Sequence, residues 1–237
     1  MSSDSKIDRS SLAGLPAFAG LTSDELQDLL QRARVQKLEK GTALFEQGDE
    51  ATRFFVLADG RLKVTQVTPD GHQVVVRYIG PGEMFGCVAV TGQQAYPGTA
   101  SAALDSTVVA WSASEAAGLV ERHPKFGAHI LRMMSSRVQE AHARIREMAT
   151  ERVERRVART LLRLAREAGK RTEAGIEIAM PLSRQDVAEM TGTTLYTVSR
   201  LLSAWEHEGL VEAGRQRVVI KKPHELVKVA EDLPEAT

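Results

Sequence analysis

The sequence predicts an α+β chain: an antiparallel β-rich first half, one long amphipathic helix, and a helical second half that ends in a helix–turn–helix and a short hairpin. Three observations predict it. Turn signals recur every 8–12 residues or so between short apolar runs from Val35 to Trp111, the pattern of an antiparallel sandwich or barrel. Apolar residues from Leu131 to Met148 follow a 3, 4, 3, 4, 3 spacing. A Ser-capped helix, a glycine turn and a second helix then follow between Ser183 and Glu208.

The elements can be justified in order. Leu12 to Leu30 reads as short helical segments, with Thr22 or Ser23 as a cap and Leu26, Leu29 and Leu30 at helical spacing. The β-rich stretch holds the apolar runs Phe54–Leu57, Val74–Val76 and Val108–Trp111. Between them lie Lys40-Gly41, Gly48-Asp49, Asp59-Gly60, Asp70-Gly71, Gly80-Pro81-Gly82, Gly92 and Pro97-Gly98. Asp70-Gly71 sits between Leu62–Val67 and Gln73–Ile79 and predicts a hairpin, because the pair accepts the positive φ of a tight turn.

After His123-Pro124 the pattern turns helical. Leu131, Met134, Val138, Ala141, Ile145 and Met148 form an a/d seam, while Arg132, Arg137, Gln139, Glu140, Arg144, Arg146 and Glu147 lie off it. So narrow an apolar stripe needs a partner helix, and small Ala141 permits close approach. Either the helix packs on its own sandwich or it pairs with a second copy; self-pairing is the expectation. Thr150-Glu151 reads as a break with a new N-cap, followed by a helix carrying Val153, Val157, Leu161, Leu164 and Ala165. Gly169 and Gly175 end it, and Ile176-Glu177-Ile178 is a short strand.

Composition bounds the function. A length of 237 residues suits two domains at ~150 residues each. No apolar run approaches the roughly 18 residues of a membrane helix, so no membrane partner is expected. Met1 to Ser11 is polar and lacks the apolar core of a signal peptide, which predicts a cytoplasmic protein. The one cysteine, Cys87, excludes an internal disulfide and any multi-thiolate metal or iron–sulfur site within one chain. The zero net charge hides an uneven distribution. Residues 151–222 hold 14 Lys/Arg against 10 Asp/Glu, a net of +4, whereas 223–237 hold 1 against 4. That excess suits a polyanion, although the run Arg152, Arg155, Arg156, Arg159, Arg163 and Arg166 is equally what a solvated helix face looks like. No Ser/His/Asp set, paired-carboxylate motif or phosphate-cradling glycine loop stands out, and Gly82-Glu83-Met84-Phe85-Gly86 lacks the lysine of a P-loop; an enzyme is not expected.

Ser183 to Ile220 carries the function. Ser183 caps a helix to Met190, Thr191-Gly192-Thr193 turns, and a second helix from about Thr194 to Glu208 keeps Val198, Leu201, Leu202 and Trp205 on one face. Ala188 is small where the helices cross. The other face offers Thr194, Tyr196, Thr197, Ser199, Arg200 and Ser203 to a DNA major groove. Arg200 can fork onto guanine O6 and N7, with Tyr196, Thr197 and Ser199 beside it. Leu210-Val211 and Val218–Ile220 read as a wing hairpin tipped by Arg215 and Arg217. Ser183, Arg184, Thr194, Arg215 and Arg217 are the expected phosphate contacts. A protein that only binds an effector is the rival from another class, and a selection against random duplexes separates the two.

These motifs in this order resemble the Crp/Fnr superfamily of bacterial transcription regulators over nearly the whole chain. The carriers are Lys40-Gly41, Gly48-Asp49, Gly60, Asp70-Gly71, Gly82–Gly86, Leu182–Ala188, Thr197-Val198-Ser199-Arg200 and Gly214-Arg215. The resemblance implies a cyclic-nucleotide-binding-like β-roll sensor in residues 1–123, a dimerising helix over 124–149 and a winged helix–turn–helix over 150–237. It further implies a homodimer on a palindromic duplex, contact with RNA polymerase, and DNA affinity set by a small-molecule, gas or redox signal. An effector pocket would draw on Glu83, Phe85, Gly86, Cys87, Thr99 and Ala100, with Arg137, Ala141 and His142 from the long helix.

Departures from the family pattern matter. Cyclic-nucleotide members hold phosphate with an arginine after a Gly-Glu-Leu stretch; here that stretch is Gly86-Cys87-Val88, and Tyr96–Ala100 contains no arginine. An unneutralised buried phosphate is costly, which argues against cyclic AMP. The N-terminal cysteine cluster of oxygen-sensing members is missing. Six histidines leave a haem-dependent gas sensor formally open, with His142 on the dimer helix the most suggestive. Cys87 reads either as a redox switch or as a packed core thiol; nothing basic flanks it in sequence, which favours the core. Many relatives carry a glutamate where Tyr196 stands, so a different half-site is expected.

Overall fold

Thr22 opens the first helix, α1 (Ser23–Gln31), through a capping box: its hydroxyl accepts from the Glu25 N–H, and the Glu25 carboxylate accepts from the Thr22 N–H. The structure is a computed structural model and describes residues 14–18, 21–91 and 94–232. The start of the helical segment expected at Leu12, the polar stretch Met1–Ser11, the turn signal at Gly92 and the end of the acidic tail lie outside the described residues. These fall into two compact units. One holds the described residues up to Gly71 together with Val76–Gln139; the other holds His72–Val75 and the described residues from Glu140 onward.

Eight antiparallel strands make the first β region: β1 (Arg34–Leu38), β2 (Ala43–Phe45), β3 (Arg53–Asp59), β4 (Leu62–Val67), β5 (Gln73–Ile79), β6 (Met84–Phe85), β7 (Thr99–Ala102) and β8 (Ser106–Ser112). They form two four-stranded sheets, ordered β1-β8-β3-β6 and β2-β7-β4-β5. The hairpin expected at Asp70-Gly71 joins β4 to β5, with Gly71 at φ +84°.

The unbroken apolar runs in β3 and β8 have a structural cause. Phe54 and Val56 join a core cluster with Trp111, Val109, Leu29, Leu119, Phe126 and Ile130. Their neighbours Phe55 and Leu57 join a second cluster with Val108, Ala110, Leu62, Ile79 and Phe85. Both central strands are therefore buried on both faces, between the sheets on one side and under helices on the other.

Those helices include one not predicted from the sequence, α2 (Ala113–Arg122), capped by Ser112 and Glu115 in a second capping box. The long helix α3 (Pro124–Thr150) follows and buries Phe126 and Ile130. Its a/d seam stays outside: Leu131 is 70% and Ile145 64% exposed, and Met134, Val138, Ala141 and Met148 are exposed as well. The two faces of α3 thus divide the alternatives, sandwich packing on Phe126/Ile130 and an uncovered stripe on the seam.

The helix break falls one to two residues later than expected. Thr150 is the last residue of α3, its hydroxyl donating to the Arg146 carbonyl at 2.8 Å, and the N-cap of α4 (Val153–Ala168) is Arg152 with no side-chain cap. A Thr hydroxyl bound back into its own helix is not available to cap the next one. Beyond α4 come β9 (Gly169–Thr172), β10 (Gly175–Ile178), α5 (Arg184–Thr191), α6 (Leu195–His207), β11 (Val211–Ala213), β12 (Val218–Ile220) and α7 (Pro223–Glu231). The strands here form one antiparallel sheet, β11-β12-β10-β9. β9 and α7 were not anticipated. Among the described residues no helix is long and apolar enough to cross a membrane.

Candidate nucleic-acid interface

Ser183 terminates the extended chain and opens α5. Its hydroxyl accepts from the Asp186 N–H at 3.0 Å, while Asp186 Oδ2 accepts from the Ser183 N–H at 2.9 Å and from its hydroxyl at 2.6 Å. Gly192 closes α5 at φ +61°, a left-handed conformation that side chains rarely adopt, and its N–H donates to the Ala188 carbonyl. Two residues on, Thr194 caps α6: its Oγ1 accepts from the Thr197 N–H at 3.1 Å and lies 2.9 Å from the Thr197 hydroxyl. Val187, Ala188 and Met190 of α5 and Val198, Leu202 and Trp205 of α6 are buried, so packing sets the angle between the helices.

The opposite face of α6 is open. Tyr196 is 77% exposed; Thr194, Arg200 and Ser203 are exposed, and Thr197 and Ser199 half-buried. Arg200 makes no hydrogen bond or ion pair with a described residue, so its guanidinium fork is available. Ser183, Arg184, Gln185, Leu195, Ala213, Gly214 and Arg215 line a cavity of about 370 Å³, which brings the first turn of α5, the start of α6 and the wing tip together.

Arg215 projects from the wing as expected. Arg217 is committed elsewhere: its guanidinium donates to Glu212 at 2.6 Å and to Glu177 at 3.2 Å, and hydrogen bonding to those carboxylates raises its pKa further. It holds the wing hairpin to β10. A phosphate contact would require it to leave both carboxylates.

The arginine run of α4 is neither a plain solvated face nor an open basic stripe. Arg155 donates to the Ala230 carbonyl, Arg159 pairs with Glu151 and Glu231, and Arg163 bonds Thr160. Arg156 reaches the Thr191 carbonyl at 3.1 Å and the Glu151 carbonyl at 2.8 Å, tying the junction before α4 to the end of α5. Only tertiary placement reveals this; helical spacing of arginines carries no such signal.

In the β region, Glu83 is the centre of a charge cluster. Its Oε2 accepts from Arg77 at 2.7 Å and from Arg137 of α3, and its Oε1 accepts from the Gly80 N–H at 2.9 Å. Phe85 is buried and stacks on Phe55, and Ala100 is buried in the same cluster. Gly86 lies at φ +70°, where an added Cβ would meet the Phe55 ring at 3.0 Å. Thr99 accepts from the Gln47 N–H at 3.0 Å. Ala141 and His142 are exposed on α3. Of the expected pocket residues, the structure joins Glu83 and Arg137; Phe85 and Ala100 are core.

Cys87 sits in the other cluster, with Phe54, Met84 and Trp111. Burial pushes its thiol up to about 11, against a smaller pull from Arg77 and Arg137. The thiolate is the reactive form, so Cys87 is expected to resist a disulfide reagent in the native protein near pH 8 and to react fully in denaturant. Fast stoichiometric labelling of folded protein would show the thiol to be open.

A unit of two packed sheets, a long helix with an exposed apolar seam, and a winged helix–turn–helix whose open face carries an arginine without a partner among the described residues define a DNA-binding regulator. Residues 35–123 match the model of the cyclic nucleotide-binding domain, and residues 155–229 match the Crp-like helix-turn-helix domain. The chain belongs to the Crp/Fnr family of transcription regulators, DNA-binding proteins rather than enzymes. It is similar to the cyclic AMP receptor protein of Thermus thermophilus, at 26% identity over 92% of this chain and 98% of that protein. It is also similar to the global nitrogen regulator of Synechococcus elongatus, at 29% identity over 80% of this chain and 86% of the relative. Its fold matches the c-di-GMP-responsive global regulator of Xanthomonas campestris with a TM-score of 0.74 at 20% identity, covering 84% of this chain and 99% of that one.

A cyclic nucleotide held through the family's phosphate arginine does not fit these residues. The stretches 86–88 and 98–100 carry no basic side chain, and the two arginines close enough to act on Cys87 are both bound to Glu83.

Proposed function

We propose that this transcription regulator works as a cytoplasmic homodimer that lays two copies of α6 into successive major grooves of a palindromic site. What carries the reading is Arg200: an exposed guanidinium without a partner among the described residues, on the open face of a helix whose other face is fixed by Val198, Leu202 and Trp205. Two-fold related helices about one DNA turn apart demand a dimer, and the uncovered seam of α3 is the surface that supports one. Arg184, Arg215 and the cap hydroxyl of Thr194 are assigned to phosphates, with Ser183 primarily the cap of α5. Residues 1–123 act as sensor, 124–149 as dimer helix and 150–237 as DNA-binding part. RNA polymerase is the further partner.

The signal is an effector other than a cyclic nucleotide bound in the family's way. The Glu83–Arg137 link, from the β region to α3, is the contact through which an effector would act. Such an effector must bind one pose of the recognition helices better than the other, or no switch results. The test is Arg200→Ala on a site selected from random duplexes. It should cost about 1–3 kcal/mol and relax preference at one position, whereas Arg215→Ala should weaken all sequences alike. Unchanged affinity and preference in the Arg200 variant would remove the base-reading role.

A further inference from the structure

Tyr196 is the most exposed large apolar side chain of the described residues, at 77%, and its neighbour Leu195 is 48% exposed. Of nine such side chains, five belong to the α3 seam; these two stand side by side on the first turn of α6. Exposed apolar groups concentrated in this way mark a contact surface rather than chance scatter. The hydroxyls of the same turn are engaged with each other, since those of Thr194 and Thr197 lie 2.9 Å apart and Thr194 also caps the Thr197 N–H.

The chemistry of the helix narrows what this surface can read. From Leu195 to Ser203 there is no Asp or Glu to accept from cytosine N4, and no Asn or Gln to pair with adenine N6 and N7. What remains is one arginine for guanine, hydroxyls that discriminate weakly, and an apolar patch. In the major groove the only apolar base-edge group is the C5 methyl of thymine. Tyr196 and Arg200 are i and i+4 on one face, ~6 Å apart along the axis, which is less than two base-pair steps of ~3.4 Å.

We propose that the Tyr196 ring, with Leu195 beside it, determines specificity by packing on a thymine methyl one or two base pairs from the guanine read by Arg200. This rests on the reading of α6 as the base-contacting helix.

The test starts from a duplex selected by the full-length protein out of a random pool. Each thymine is then replaced by uracil, which removes the methyl and leaves every hydrogen-bonding edge intact. Uracil at the thymine next to the essential guanine should weaken binding about fourfold in one half-site and roughly fifteenfold in both, the effect of one methyl lost from an apolar contact. Tyr196→Ala should bind the thymine and uracil duplexes equally. Tyr196→Phe should keep the discrimination, because the ring and not the hydroxyl makes the contact. The proposal is overturned by a selected site with no thymine at that distance, by uracil duplexes that bind like thymine ones, or by a Tyr196→Phe variant as indifferent as the alanine. If the wild-type protein enriches no sequence at all, the base-reading role of α6 falls with it; if it enriches a guanine lost in Arg200→Ala but shows no methyl effect, only the Tyr196 assignment falls.

Discussion

Trp111→Ala is expected to cost about 3–5 kcal/mol of stability, the range for truncating a large buried aromatic side chain. Trp111 is 1% exposed and stacks on Phe54 at 4.9 Å, with Phe18 edge-on at 6.1 Å. Its indole N–H donates to the Leu29 carbonyl at 2.8 Å, so one side chain joins β8, β3 and α1. Removing it leaves a cavity among Phe54, Phe126 and Leu119 and an acceptor in α1 without its donor. Trp111→Phe separates the two contributions. It keeps a ring against Phe54 and should cost about 1–3 kcal/mol, chiefly from the stranded Leu29 carbonyl. Urea unfolding followed by far-ultraviolet circular dichroism reads both variants. Trp205 lies in the other unit and supplies an independent fluorescence signal for the helix–turn–helix. A Trp111→Ala protein within 1 kcal/mol of wild type would mean that this cluster does not hold the unit together.

What could be read from the sequence depended on whether a signal was local. The Asp70-Gly71 hairpin, the Ser183 cap, the Gly192 turn and the buried face Val198–Leu202–Trp205 are each set by a few neighbouring residues and stand where their chemistry requires. Helix α2 is also locally encoded, by Ser112 and Glu115 three residues apart, but the apolar run Val108–Trp111 leads straight into it and masks its start. The N-cap Arg152 carries no capping side chain, so nothing in the chain marks that junction, and Thr150 misleads because its hydroxyl turns back to Arg146. Non-local pairing was the harder part. Arg217 looks like a wing-tip cation in sequence, and only the register of β10 beside β12 brings Glu177 to it. The clamp of Arg156 on Thr191 and Glu151, and the cluster of Arg77, Glu83 and Arg137, likewise need the fold to exist.

The second large effect lies in the α3 seam. If the proposed homodimer pairs through this seam, the double substitution Val138→Glu and Ile145→Glu should leave a monomer and lower affinity for a palindromic site by about 10²–10⁴, the range over which linked sites exceed single ones. Both side chains are exposed and stand one heptad apart on the stripe, so neither change disturbs the Phe126 and Ile130 packing on the other face. Across a two-fold axis each new carboxylate would meet its own copy, and like charges facing at close range add repulsion to the lost apolar contact. Affinity for a duplex carrying one half-site should stay near its wild-type value, because Arg200 and Tyr196 are untouched. Sedimentation equilibrium and gel shifts on whole and half sites read the two quantities separately. A double variant that remains dimeric would move the interface off the seam. A monomer that still binds the palindrome at full strength would uncouple DNA recognition from dimerisation, since the gain from two linked half-sites exists only while one molecule spans both.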